Sequence, residues 1–204
     1  MILASQSPRR IELMREAGYD IRVIPADIDE TAHPGETPFE LVERLACAKA
    51  ASVARSHAHP GEIVVAADTI VAIDGALLGK PHTADEARAM LRELSGRTHQ
   101  VATGVCLMRA GGANSQAGAS AGDGTAAALD SFMSVTDVTF YELTDVQIEA
   151  YAASGEPMDK AGAYGIQGIG GRMLVRGIDG DFYNVVGLPI ARVARHLAAL
   201  ASKN

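Results

Sequence analysis

The sequence predicts a mixed α/β domain, and three features of the 204-residue chain carry that expectation. A Val- and Ile-rich run over 63–73 is too β-branched for an ordinary helix and ends in Asp74-Gly75, a two-residue hairpin turn signal. Three helix starts are written in capping-box form, Thr37…Glu40, Thr83…Glu86 and Thr144…Gln147. Finally, 48% hydrophobic and 21% charged residues over this length suit one α/β domain, or one domain with a small lobe, around a sizeable core.

In order along the chain, Ile2-Leu3-Ala4 reads as a short strand. Ser7 then offers an N-cap and Pro8 a first helical residue, for a helix over 8–17 closed by Gly18. Residues 21–24 form a strand, and Thr37-Pro38-Phe39-Glu40 opens a helix to about Arg55. The strand over 63–73 turns at Asp74-Gly75 into Ala76-Leu77-Leu78, and Thr83 caps a helix that ends at Ser95-Gly96. Strands follow at 99–108 and 132–140. Between them, residues 110–129 are rich in Gly, Ala and Ser with almost no large side chain, which predicts a flexible loop joining two hairpin strands. A helix from Thr144 ends near Ser154-Gly155, a glycine-rich loop occupies 161–171, residues 173–178 and 182–186 form a hairpin, and 189–200 form a terminal helix. No internal repeat or domain boundary interrupts the order, so 1–204 is read as a single domain with one low-complexity insert.

The composition excludes several classes. A formal net charge of -7 argues against broad electrostatic binding to nucleic acid or membrane. No apolar run approaches the roughly 20 residues that span a bilayer, and charge at Arg9 leaves no signal-peptide core. Two cysteines, Cys47 and Cys106, make neither a disulfide framework nor a zinc site, which favours buried thiols in a reducing cytoplasm. An acidic chain binds a polyanionic small molecule only through locally concentrated Lys and Arg, usually with a metal.

Such concentrations exist. Ser5-Gln6-Ser7-Pro8-Arg9-Arg10 puts two arginines in the first turn of a helix, the end where its dipole already disfavours cations. Beside unpaired backbone N–H groups they suit a bound anion such as a triphosphate; the alternative is solvation or pairing with Glu12 or Glu16. Asp68 lies mid-strand among apolar residues, where a carboxylate costs several kcal/mol unless paired or metal-bound. Alternation faces Asp68 and Thr69 oppositely unless a bulge intervenes, and a strand break accepting backbone bonds is the competing account. Lys49 follows Leu41 and Leu45 at i+4 steps, on the shoulder of a buried helix face, and Lys80 directly follows a strand in Gly79-Lys80-Pro81. Either could simply snorkel to solvent. Glu30, in Asp27-Ile28-Asp29-Glu30, is a divalent-cation candidate or a solvated loop residue. Gly75-x-x-x-Gly79-Lys80-Pro81 is one residue short of a P-loop and lacks its Ser or Thr, and Gly168-Ile169-Gly170 lacks the third glycine of a dinucleotide fingerprint.

Several stretches resemble the Maf family: Leu3-Ala4-Ser5-x-Ser7-Pro8-Arg9-Arg10, Ala48-Lys49-Ala50, Ala67-Asp68-Thr69-Ile70-Val71, Lys80-Pro81, Leu94-Ser95-Gly96-x-Thr98-His99-x-Val101, Asp159-Lys160-Ala161-Gly162-Ala163-Tyr164-Gly165-Ile166-Gln167-Gly168 and Val185-Val186-Gly187-Leu188-Pro189. They run in family order from end to end. The resemblance implies a fold like that of inosine triphosphate pyrophosphatases, a long curved mixed sheet flanked by helices with a cleft between two lobes. It implies metal-assisted attack of water on the α-phosphate of dTTP or UTP, giving monophosphate and pyrophosphate. Carried over motif by motif, Asp68 is the general base and, with Glu30, a ligand of Mg or Mn. Arg9, Lys49 and Lys80 stabilise phosphate charge, Ser5 and Arg10 belong to the substrate-binding segment, and Thr69 and Gln167 contribute to base selection. The rival enzyme is a 7-methyl-GTP or other modified-nucleotide pyrophosphatase; the rival of another class is a nucleotide-binding regulator of septum formation. A homodimer is compatible with either. Two departures stand out: Ala48 replaces an acidic residue common in the family, and the 110–129 insert is longer than the usual hairpin tip.

Overall fold

The computed structural model describes residues 1–111 and 126–201. In chain order its elements are β1 (Ile2–Leu3), α1 (Pro8–Glu16), β2 (Arg22–Val23), α2 (Pro38–His57), β3 (Ile63–Ile73), β4 (Ala76–Leu78), α3 (Ala84–Leu94), β5 (Thr98–Ala110), β6 (Ala126–Phe140), α4 (Asp145–Ala153), β7 (Val175–Asp179), α5 (Phe182–Val186) and α6 (Ile190–Ala201). Short 3₁₀ turns at Glu156–Asp159, Ala161–Ala163 and Gly171–Met173 lie between α4 and β7.

Local signals account for many of these boundaries. Thr37 and Thr144 both complete reciprocal capping boxes with Glu40 and Gln147, and Thr83 accepts from the Glu86 N–H. Asp74 and Gly75 take φ of 51° and 79°, the left-handed pair of a two-residue hairpin, and set Ile73 opposite Ala76.

All seven strands join one mixed sheet in the order β2-β1-β3-β5-β6-β7, with β4 also on β3. β1 is parallel to β2 and β3, and the remaining pairs are antiparallel. Side chains of β3 alternate between two layers as its period of two requires. Val64, Ala66, Ile70 and Ala72 face α2, while Val65, Ala67, Val71 and Ile73 enter the larger core with residues of α1, α3, α4 and α6. The alanine content of the chain has a use here: Ala46, Ala50 and Ala54 of α2 are all buried against the sheet. Gly104 sharpens the approach, since a Cβ there would sit 2.6 Å from the Val42 carbonyl oxygen.

The edge of β3 away from β5 is shared. β1 pairs with Val64 and Val65, β4 pairs with Val71 to Ile73, and 66–70 lie between with no strand partner on that side among the described residues. That opening positions the site.

Two expectations need correction. Residues 182–186 are a short helix, not the second strand of a hairpin. The Asp181 side chain accepts from the Tyr183 N–H and caps it, Gly187 at φ 121° ends it, and among the described residues β7 pairs with β6 alone. Its apolar residues resemble a strand, but buried Asn184 donates to the Val101 carbonyl and the Thr136 hydroxyl, and those distant partners hold the turn. The expected loop over 110–129 is also too wide. β6 begins at Ala126, opposite Ala110, so the hairpin strands run farther than composition suggested. The remainder of that insert, 112–125, lies outside the described residues.

Candidate functional site

A cavity of about 940 Å³ opens at the bare edge of β3, and every candidate residue lines it: Ser5, Arg9, Arg10, Glu30, Lys49, Asp68, Thr69, Lys80 and Gln167. The alternation problem of Asp68 and Thr69 resolves without a bulge, because the β3–β5 register is continuous from Ile63 to Ala72. Asp68 points to the α2 layer and Thr69 to the other. Both reach the same cavity because it wraps around the unpaired edge between β1 and β4.

On the α2 side, the Lys49 ammonium lies 2.6 Å from Asp68 Oδ1 and 2.9 Å from Glu30 Oε1. Lys49 and Asp68 are nearly buried, at 12% and 13% side-chain exposure, whereas Glu30 is 56% exposed. One cation thus draws two carboxylates together at the cavity wall. A divalent metal is served by such hard oxygen donors, and magnesium in particular takes one or two carboxylates plus substrate phosphates.

On the other side Arg10 is spent on the protein. Its guanidinium donates to the carbonyls of Gly187 (2.7 Å) and Ala67 (2.8 Å), to the Thr69 hydroxyl (2.8 Å) and to Ser5 Oγ (3.4 Å). The Ala67 bond satisfies a carbonyl of the bare β3 edge. Burial lowers the Arg10 pKa from its ordinary value, partly opposed by Asp68. A polar chain continues inward: Thr69 meets the Thr103 hydroxyl at 2.9 Å, and Thr103 donates to the Asn184 carbonyl at 3.1 Å.

Arg9 and Lys80 are the less committed cations. Arg9 has only a loose ion pair with Asp159 at 3.7 Å, and exposed Lys80 has no ion pair among the described residues. Ser7 makes no side-chain cap and α1 has no acid in its first turn, so the helix start that carries Arg9 brings no anion of its own. Gln167 is exposed in the cavity, and its amide bonds to nothing among the described residues.

Glu156, Asp159 and Lys160 also line the cavity; Asp159 and Lys160 head a family-like stretch but carry no assigned role there, and Glu156 is not singled out from the sequence. Lys160 donates to Asp159 and to the Glu156 carbonyl, both at 2.5 Å. Burial pushes Asp159 up, but Lys160 and Arg9 outweigh it and leave its pKa below the ordinary value. The available signal was a cluster of charges just ahead of an otherwise small and apolar stretch.

Comparison with known proteins agrees over nearly the whole chain. The family model described as Maf-like protein matches residues 1–200. A protein of Symbiobacterium thermophilum named dTTP/UTP pyrophosphatase is 49% identical over 197 residues, 97% of this chain and 92% of its own. Proteins of the same name from Phocaeicola vulgatus (46% over 202 residues, 98% and 95%) and Halalkalibacterium halodurans (45% over 197 residues, 97% and 94%) are similarly close. With the motif-bearing residues converging on one cavity and the family model spanning the sheet that forms it, the chain belongs to the Maf family.

Proposed function

We propose that this chain is a nucleoside triphosphate pyrophosphatase that cuts dTTP and UTP to the monophosphate and pyrophosphate. The observation that carries the reading is Lys49 bridging Asp68 and Glu30 at the wall of a cavity that also holds Arg9 and Lys80. The shared name of relatives 45–49% identical over almost the full chain supports the choice of pyrimidine nucleotides.

The chemistry follows from charge. Cutting a triphosphate at its α-phosphorus needs neutralised oxygens and a positioned water more than covalent machinery. Arg9, Lys49 and Lys80 supply cations, and Lys49 exchanges a carboxylate for a phosphate oxygen as the polyanion arrives. Glu30 and Asp68 would hold a magnesium or manganese ion, which supplies charge neutralisation at the reacting phosphate when bound. Asp68, fixed on a rigid strand, takes the proton of the attacking water. Arg10 locks the start of α1 onto β3 and onto the turn at Gly187, so that Arg9 is presented at a defined place. The Gln167 amide, donor and acceptor at once, reads the pyrimidine edge. Thr69, whose hydroxyl is already engaged by Arg10 and Thr103, contributes to selection through its place in the wall.

A nucleotide panel with magnesium or manganese tests the reading. UTP and dTTP should release pyrophosphate with rates well above CTP and GTP. Release of orthophosphate with a diphosphate, or preference for 7-methyl-GTP, would overturn it, and tight binding without turnover would favour a regulator.

A further inference from the structure

The glycine-rich turn after Gln167 looks like a cradle for phosphate, yet its donors are already taken. The N–H groups of Gly170 and Gly171 both point at the Glu156 carboxylate, at 3.2 Å from Oε2 and 3.2 Å from Oε1, and the Tyr151 hydroxyl donates to Oε1 at 3.0 Å. Successive backbone N–H groups in such a turn form an anion site. Here the anion is a side chain of the same molecule.

The turn closes tightly around that carboxylate and the Tyr151 ring, and each glycine is required by its own close contact. A Cβ on Gly168 would stand 1.6 Å from Glu156 Oε1, one on Gly170 would meet the Tyr151 ring at 2.5 Å, and one on Gly171 would meet the Gly165 carbonyl oxygen at 2.1 Å. Further bonds pin the residues on either side of the recognition side chain. Gly168 N–H donates to the Gly165 carbonyl at 2.9 Å, and Gly165 N–H donates to the Tyr151 hydroxyl at 3.2 Å. Arg172 donates to the carbonyls of Gln167 (2.9 Å) and Gly168 (3.0 Å). Packing contributes little at the tip, where Ile169 is 83% exposed. The Gln167 backbone is thus held by these bonds beside buried Ile166, while its amide makes no hydrogen bond among the described residues.

We propose that Glu156 is a positioning residue for nucleobase selection: its carboxylate fills the glycine turn and thereby holds Gln167 at the distance from which it reads the base. The inference rests on the reading of Gln167 as the base-contacting side chain. Loss of the carboxylate leaves the Gly170 and Gly171 N–H groups and the Tyr151 hydroxyl without their shared acceptor, and the turn loses the anion it closes around. A recognition group displaced by even an ångström loses a large part of its effect.

The test compares wild type, Glu156→Ala and Glu156→Gln in the full chain. For each, kcat and KM are measured for the nucleotide that wild type prefers and for its nearest competitor, alongside thermal melting. Glu156→Ala should cut the ratio of the two kcat/KM values by about tenfold, mainly through a higher KM for the preferred nucleotide. Glu156→Gln keeps an acceptor for Tyr151 and Gly171 but turns an amide donor toward the Gly170 N–H, so its ratio should fall between the other two. An unchanged ratio in either folded variant overturns the proposal, as does an equal loss of kcat for both nucleotides. Should Glu156→Ala not fold, Glu156→Gln decides alone. If wild type prefers a nucleotide other than UTP or dTTP, the substrate reading fails while this comparison still stands.

Discussion

Replacing Asp68 with Asn separates a chemical role from a structural one. The Lys49–Asp68 pair at 2.6 Å has a gross Coulomb attraction of about 6 kcal/mol at an effective dielectric of about 20. Removing two nearly buried charges from water costs several kcal/mol each, so the net value of the pair is small. Asparagine retains an oxygen for the ammonium, and Lys49 keeps Glu30 at 2.9 Å, so no unpaired buried cation is left. The stability change should therefore stay within about 1 kcal/mol, or roughly 2–4 °C in Tm for a chain of this size. Turnover should instead fall by about 10²–10⁴, equivalent to about 3–5 kcal/mol of lost transition-state stabilisation. Melting temperature and single-turnover UTP hydrolysis, measured on the same preparation, give both numbers. An Asp68→Asn protein that melts several degrees lower yet turns over UTP at a near-normal rate would refute the reasoning and leave Asp68 a structural acceptor.

Lys49→Met acts on stability instead: it leaves the Asp68 and Glu30 carboxylates without their shared cation, so Tm should fall by several degrees and millimolar magnesium should restore more of it than in wild type, read by calorimetry. Gln167→Ala should weaken discrimination of UTP from CTP more than it weakens turnover of UTP; equal losses for both would make Gln167 structural. His99 is buried, with its pKa lowered to about 4 by burial against a small opposing effect of Asp137. Because the unfolded state binds the proton more readily, its contribution is complete above about pH 6.5 and is lost as pH falls toward 4, by up to about 3 kcal/mol. His99→Gln should flatten the dependence of Tm on pH between 7 and 4, and an unchanged slope would assign acid sensitivity elsewhere. Replacing residues 112–125 with a short Gly linker from Gly111 to Ala126, closing the hairpin at the Ala110–Ala126 pair, should leave Tm within a few degrees and activity near wild type; a loss the size of a core mutation would show that the segment is packed.

What the sequence determined by itself is whatever depends on neighbours a few residues away. The capping boxes at Thr37 and Thr144 and the Asp74-Gly75 turn are closed by bonds within three or four residues, so their positions were readable to within a residue or two. The strand over 63–73 was readable because its β-branched run is long, and the charged candidates because a carboxylate in such a run demands a partner. Helix 182–186 was misread because its stability lies elsewhere, in Asn184 bonded to Val101 and Thr136, 83 and 48 residues away. Arg10 shared its dipeptide with Arg9, yet only the folded chain brings it the carbonyls of Ala67 and Gly187 and turns it from a free cation into a clamp. The same holds for Glu156, ordinary in sequence until a turn 14 residues on wraps its N–H groups around it. Most of all, Asp68 and Thr69 share a cavity because β1 stops and β4 starts on one edge of β3, leaving a gap that both faces can reach. Strand pairing between distant segments made that gap, and no local propensity encodes it.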